Sequence, residues 1–198
     1  MNPSQWRAVN SSVAKLQLLE IPATNTRLLW AIGVLRVRAW AARSAEIAAR
    51  EAWLDEVDAV GRHFAIIDGE ELVAAARVSA HETLAAAPDP EDFAELAPIP
   101  TPIASLNRLV VAQSYRGLGL GIRLVEARLA AAEQMGCRSA VTSIWPDDRI
   151  IRRMERLGFV SAGLTKIYRS VTYGPEARFM VMTRRLLAEG LPGEPLSW

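Results

Sequence analysis

The sequence holds one cysteine, Cys137, and only two histidines. A lone thiol cannot close an internal disulfide, and one Cys with two His falls short of a four-ligand zinc set, so no structural metal is expected. An excess of one charge is missing too: 23 basic residues against 22 acidic ones leave a formal charge of +1. Such a chain has no overall field to gather nucleic acid or an anionic membrane, and polyanion binding would need a local patch. Long apolar runs are also lacking. Residues 1–17 are polar, without the stretch a secretory signal requires, and the run from Leu28 to Ala42 is interrupted by Arg36 and Arg38. It reads as a buried helix of a cytoplasmic protein that has neither nucleic acid nor membrane as a partner. There is no internal repeat, and no low-complexity tract beyond an alanine-rich bias.

What is present suffices for one core. A length of 198 residues, 51% of them hydrophobic, favours a single domain over 1–198, with a polar arm at 1–14 and a tail at 187–198. A short strand is expected around Lys15 to Glu20. Leu28, Ile32, Leu35 and Ala39 recur at helical spacing, capped by Asn25 or Thr26, and Ser44 can cap a second helix through Trp53, closed by Asp55, Glu56 and Asp58 before Gly61. His63 to Ile67 and Leu72 to Ser79 form two apolar runs joined by Asp68-Gly69, a strong hairpin signal. Five prolines among several acids make Ala85 to Pro102 a surface loop, with a lid as a further reading.

Ile103 to Val111 resumes as a strand and runs into Arg116-Gly117-Leu118-Gly119-Leu120-Gly121. From Ile122 the spacing of Val125, Leu129, Ala132 and Met135 is helical as far as Gly136. Ser139 to Trp145 is β-like. Asp147 or Asp148 can cap a helix carrying Ile151, Met154 and Leu157 that stops at Gly158, and two late strands follow at Ser161 to Arg169 and Arg178 to Leu186, with Gly163 marking a bulge in the first.

A strand, a glycine-rich turn and a helix start, in that order, make an anion site. Unpaired backbone N–H groups and the positive helix end converge on one point, and glycine lets phosphate approach the main chain. Each charge-assisted N–H bond to phosphate contributes about 1.5–3 kcal/mol where water is excluded. Counting from Gly117, a dinucleotide fingerprint would need glycine where Ile122 stands, and the Gly-Lys-Ser/Thr of a Walker loop is absent.

The segment resembles the phosphate loop of the Gcn5-related N-acetyltransferase family, Gln/Arg-x-x-Gly-x-Gly/Ala, met here by Arg116, Gly119 and Gly121. Leu109-Val110-Val111 looks like that family's central strand, and Arg156-Leu157-Gly158-Phe159 like its late helix end. The resemblance runs from about His63 to Leu186. It implies an α/β (α+β) fold, with a mixed, mostly antiparallel sheet of six or seven strands, splayed central strands and about four flanking helices. It further implies acetyl-CoA as acyl donor. The pantetheine would lie between the strands 103–111 and 139–145, on backbone groups of Leu109 and Val111, with the N–H of Val110 or its neighbour polarising the thioester carbonyl. Arg116, Gly117, Leu118, Gly119, Leu120 and Gly121 would take the pyrophosphate. The acceptor is expected to be a primary amine of a small molecule or peptide, and a homodimer is a common state among the proteins resembled.

The attacking amine must be neutral. A lysine side chain is uncharged on the order of once in a thousand at pH 7, and an α-amine roughly one time in ten. The groups expected to help are His81 and Glu82 at the hairpin end, Asn107 through water, and Ser143. The family's late-helix tyrosine is replaced by Met154, which leaves Tyr168, Tyr173 or solvent to protonate the thiolate.

Several residues carry two readings. Asp55, Glu56 and Asp58 suit a solvated helix end or a cationic acceptor's anchor; Trp30, Trp40 and Trp53 suit packing or an aromatic acceptor pocket. Arg149, Arg152, Arg153 and Arg156 read as an exposed face, Cys137 as a buried thiol, and Arg108 as either a carboxylate anchor or an ion-pair member. At the level of the whole protein, a non-catalytic acyl-CoA sensor and a long-chain N-acyltransferase compete with the acetyltransferase. The loop reading has a direct test: Gly119→Glu, which sets a like charge in the phosphate position, should abolish coenzyme A binding in calorimetry while the thermal melt stays cooperative.

Overall fold

The computed structural model describes residues 16–42, 44–170 and 174–186. The polar arm, the tail and Tyr173 lie outside the described residues, as does the Tyr168 side chain. Seven strands build one sheet: β1 (Gln17–Ile21), β2 (Arg62–Asp68), β3 (Glu71–His81), β4 (Ile103–Val111), β5 (Ser139–Ile144), β6 (Val160–Ser170) and β7 (Gly174–Arg185). Their order is β1-β2-β3-β4-β5-β7-β6, and every neighbouring pair is antiparallel except β4 with β5. The helices are α1 (Thr26–Trp40), the single turn α2 (Ala45–Ala48), α3 (Leu120–Gln134) and α4 (Asp148–Arg156). This is the mixed sheet with four helices that the resemblance implied. Among the described residues no helix is long and apolar enough to cross a membrane.

One sheet face carries Phe64, Ala74, Leu106 and Met182 against Leu124 and Leu129 of α3, Met154 of α4 and Phe159. The opposite face carries Ala65, Ala75 and Val110 against Leu29, Ile32 and Leu35 of α1. Asn25 caps α1, accepting from the Leu28 amide at 3.1 Å, and Asp147 caps α4 through the amides of Arg149 and Ile150. The hairpin forms one residue later than its dipeptide suggested. Asp68 pairs with Glu71, so Gly69 and Glu70 make the turn, and only Gly69 has positive φ (61°), the backbone of a type II′ turn. The expected bulge at Gly163 is present as a register shift between Ser161 and Thr165.

Two expectations need correction. The helix foreseen from Ser44 to Trp53 is one turn long, because the chain then lies extended against α1. The Trp53 amide donates to the Gly33 carbonyl at 3.0 Å, and a Cβ on Gly33 would come within 2.9 Å of Ala52. The proline-rich segment is also more than a surface loop. It winds two 3₁₀ turns, Leu84–Ala86 and Pro90–Phe93, and buries Ala87 and Phe93 on Ile103, Val141 and Val181.

Of the acids after Trp53, Glu56 is exposed, as a solvated end would be, but Asp55 and Asp58 are not. Asp55 and Asp58 cap a 3₁₀ turn at Glu56–Ala59, and Asp58 is 4% exposed. Arg36 grips the Asp58 carboxylate with two hydrogen bonds of 2.9 Å, and Arg77 reaches it at 2.8 Å while also pairing with Asp55. Arg108 joins from β4, with Nε and Nη2 at 3.1 and 2.9 Å from Asp55 Oδ2. The chain Arg36, Asp58, Arg77, Asp55, Arg108 therefore ties α1 and the turn to the middle of the sheet. His63, fully buried, donates from Nε2 to the Asp58 carbonyl at 3.0 Å, and burial lowers its pKa, so it stays neutral beside these cations.

Burial alone would raise the pKa of both aspartates. For Asp55 the hydrogen bond and charge of Arg77, with Arg108, outweigh burial and hold it at about 2; for Asp58 Arg36 and Arg77 do the same in direction. A folded-state pKa below the unfolded one stabilises the fold above the unfolded value, and that contribution is lost as pH falls through the folded value. Denaturant titrations should therefore show stability falling between about pH 4 and pH 2, with a shallower fall in Asp55→Asn. Asp58→Asn should cost about 3–5 kcal/mol at pH 7, since it leaves Arg36 without its counter-charge, and adding Arg36→Met should recover much of that loss in the same titration.

Candidate active site

β4 and β5 are paired only over Ile103–Ser105 with Ser139–Val141. Thr142 Oγ1 then donates to the Leu106 carbonyl at 2.8 Å, and beyond that point the two strands have no ladder between them. β4 is also bulged. Ala75 faces Val110 and Arg77 faces Asn107, so Arg108 and Leu109 together oppose Ala76, and Arg108 takes φ 53°. Since the Ala112 amide donates to Val73 on β3, strand alternation turns the main-chain groups of Val111 and Leu109 the other way, toward the gap.

At the open end of this gap the chain makes a 3₁₀ turn, Gln113–Tyr115, and enters α3 through Gly119, whose φ of 79° caps the helix. No described backbone carbonyl accepts from the amides of residues 117–121, and a Cβ built on Gly117 or Gly119 would meet nothing within 4 Å. Bare amides in open space at a helix start are what a phosphate requires. A cleft of about 370 Å³ lies here, walled by Val111, Arg116, Gly117, Gly119, Gly121 and Arg153. Leu118 is 60% exposed at the loop's crest. The nearby Tyr115 hydroxyl donates to Asp68 at 2.8 Å, and that hydrogen bond pushes its pKa up to about 12, so it is a poor proton donor near neutrality.

A second cavity of about 350 Å³ continues from the first through the gap, sharing Trp40, Leu109, Val110, Gly121 and Trp145 with it. On the α1 side it is faced by Trp53, Arg108, Asp92 and Phe93, and on the α3 side by Val125, Arg128 and Met154. Trp145 stacks on Trp40 with ring centroids 6.2 Å apart and meets Phe179 at 4.6 Å, while Trp40 meets Trp53 edge-on at 6.2 Å. Trp40 and Trp53 are thus cavity walls, while Trp30 lies half exposed on the surface. Arg108 is at once an ion-pair member and a cavity wall, with its guanidinium 4.6 Å from the Trp53 ring centroid.

Of the side chains expected to move protons, Asn107 lines the cavity. Its Oδ1 accepts from Arg77 Nε at 2.7 Å and its Nδ2 donates to Ser105 Oγ at 3.1 Å. His81 and Glu82 are not among the lining residues. His81 pairs with Ile103, at the end where β4 and β5 are joined, and its Nε2 lies 2.8 Å from Ser79 Oγ. Ser143 lines the cavity and donates to Asp92 Oδ2 at 3.0 Å.

Asp92, 4% exposed, had passed as one acid in a proline-rich loop, and the pairing of the aspartates with Arg77 was missed as well. So was Arg128, 3% exposed on α3, which donates from Nε to the Leu124 carbonyl at 3.1 Å and from Nη1 to those of Arg77 and Asn107 at 3.4 Å each. A polar residue at a position where α3 turns inward was the available signal. Met154, the residue in the late-helix tyrosine position, is buried and faces the same cavity. Cys137 is buried, and burial raises its pKa, as suits a packed thiol. Among the described residues no cluster of His, Cys, Asp or Glu could hold a metal.

A search of curated protein sequences finds no match. Among solved structures the chain is similar to a ribosomal-protein alanine N-acetyltransferase from Escherichia coli, with 18% identity, TM-score 0.57, and coverage of 92% of this chain and 99% of that one. It is similar to the AHL synthase LasI, with 16% identity, TM-score 0.61, and coverage of 85% and 88%. An acyl-CoA N-acyltransferase from Pseudomonas aeruginosa gives 20% identity, TM-score 0.55, and coverage of 85% and 99%. These likenesses establish the fold. A sequence model of the Acetyltransferase (GNAT) family matches residues 27–159, two thirds of the chain, and the bulged strand, splayed gap and bare-amide loop fall inside that span. The chain therefore belongs to the acetyltransferase (GNAT) family.

Proposed function

We infer that the protein is an N-acyltransferase that takes an acyl group from acyl-CoA, acetyl-CoA being the simplest donor, and passes it to a primary amine. The carrying observation is the continuity of the two clefts: bare amides at Gly117 to Gly121 open into a gap edged by Leu109 and Val111, and the gap opens into a cavity with polar walls. The pyrophosphate sits on the loop amides with Arg116 beside them. The pantetheine amides pair with the main chain of Leu109 and Val111, in place of the β5 ladder that is absent there.

The thioester then lies at the bulge. Val110 pairs with Ala75, so the neighbouring Leu109 amide, turned to the gap, is the better donor to the thioester carbonyl. The amine enters from the α1 side between Trp53 and the proline-rich segment. Two aspartates of that segment line the cavity; Asp89 is exposed, whereas Asp92 is buried and fixed by Ser143. Asp92 takes the amine's proton directly or through water, which Asn107, held by Arg77 and Ser105, orients. The nitrogen lone pair attacks the thioester carbon, the C–N bond forms as C–S breaks, and the sulfur leaves as thiolate. Asp55 is no base, since Arg77 and Arg108 keep it ionised and weakly basic.

The size of the inner cavity favours a second reading, in which the acyl group is longer than acetyl. Thiol release from a series of acyl-CoAs across an amine panel tests both. Amine-dependent release is expected; coenzyme A binding with no release from any pair would make the protein a sensor. Asp92→Asn should lower turnover by about 100-fold or more while coenzyme A still binds, and an unchanged rate would remove Asp92 from the mechanism.

A further inference from the structure

We propose that the acyl pocket selects a donor whose acyl chain ends in a carboxylate, as in malonyl- or succinyl-type thioesters, and that Arg128 binds that end. The proposal rests on the acyl-CoA reading of the cleft and names the donor class it serves.

Arg128 differs from the other fully buried arginines. Arg36 and Arg77 each hold an aspartate. Arg128 has no carboxylate acting on it among the described residues; burial alone lowers its pKa, to about 9, so it remains a cation at neutral pH. Its contacts are three backbone carbonyls, reached through Nε and Nη1. Nη2 makes no hydrogen bond to the described residues and is not one of the fully buried atoms left without a partner, and Arg128 is a residue that lines the inner cavity. The three carbonyls account for a donor at this position, and a neutral amide would serve them. They do not account for a charge, which is costly to bury without a counter-charge.

Position supplies the second half of the case. Nine residue steps along α3 lead from its cap Gly119 to Arg128, about 13 Å of helix. On β4 the bulged stretch from Val111 to Asn107 lies opposite only Ala74 to Arg77, three strand steps or about 10 Å. Both walls start at the phosphate end, and they meet where Arg128 Nη1 touches the Asn107 carbonyl. An acyl chain continuing past the bulge cannot run on between the strands, because Thr142 and Leu106 close the gap. It must turn, and on the α3 side the turn leads to Arg128 beside Val125 and Met154. An apolar chain end placed there would cover the cation with hydrocarbon, whereas a carboxylate gives it a charge-assisted hydrogen bond and a counter-charge. Arg108, the cation on the α1 side, is already paired with Asp55.

Calorimetric titration of the full chain with coenzyme A, butyryl-CoA and succinyl-CoA, without acceptor, tests this. Butyryl and succinyl have the same carbon count and differ in the terminal group. Wild type should bind succinyl-CoA at least about tenfold more tightly than butyryl-CoA, the size of one charge-assisted hydrogen bond. Arg128→Met should remove or reverse that ratio, and Arg128→Lys should retain part of it. Equal affinities in the wild type overturn the proposal whether or not the variants fold, and so does a succinyl preference that survives in folded Arg128→Met. Coenzyme A binding without a carboxylate preference defeats this proposal alone, whereas no binding of any of the three defeats the acyl-CoA reading as well.

Discussion

The one-residue slip of β4 against β3 is the distortion on which the cleft depends. Two residues, Arg108 and Leu109, stand opposite Ala76, and Arg108 is pushed to φ 53°. A left-handed conformation costs a side-chain-bearing residue roughly 1–2 kcal/mol, so something must hold it. Asp55 accepts from both Nε and Nη2 of Arg108, and the Trp53 ring lies under the guanidinium. Neither partner is local in sequence. Both arrive on the extended segment that lies against Gly33 of α1, which makes the shortness of α2 a condition of the site.

The buried charges divide the cavity by sheet face. On the α1 side positive and negative groups alternate from Arg36 to Arg108, and each cation has a carboxylate beside it. That face is polar and partly compensated, with three arginines sharing two aspartates. On the α3 side Arg128 is a cation among carbonyl dipoles. The gap between β4 and β5 opens between the two faces, so a donor lying in it would meet both environments. Carbonyl dipoles and aspartates solve the same problem of a buried guanidinium in different ways, and only the aspartates supply negative charge.

Features of short sequence range were legible. Ile103 to Val111 was bounded correctly because Pro102 precedes the apolar run and the polar Gln113 follows it, and the glycine loop was placed at the start of α3, where Gly119 has the positive φ that its residue type suits. Asp147 and Asn25 cap as expected because capping is a matter of a few residues. Long-range partners left no such trace. Arg36 and Asp58 are 22 residues apart, and Arg77 and Asp55 equally so, with nothing in either neighbourhood to announce the other. Propensity favoured a helix after Ser44, and the close approach to Gly33 overrode it. His81 and Glu82 were singled out as a strand end, but which end of β4 would open depended on where β5 stops pairing, and that is set by Thr142. Asp92 was hidden by its proline-rich context, since burial of a loop acid depends on the sheet it lands on.

Met154 bears on how the reaction ends. Where the family resemblance leads one to expect a tyrosine hydroxyl, the cavity has a buried thioether, which cannot donate a proton. A thiol with an ordinary pKa near 8.5 is a fair leaving group as the thiolate, so departure does not demand a proton in the transition state. The proton lost from the amine can then return to sulfur through water in the phosphate-side cleft, after the C–S bond has broken. A tyrosine at 154 would also set a hydroxyl in the cavity that Arg128 lines. On the acyltransferase reading the apolar methionine leaves protonation of the departing thiolate to solvent, and it adds no polar partner to the cavity that Arg128 also lines.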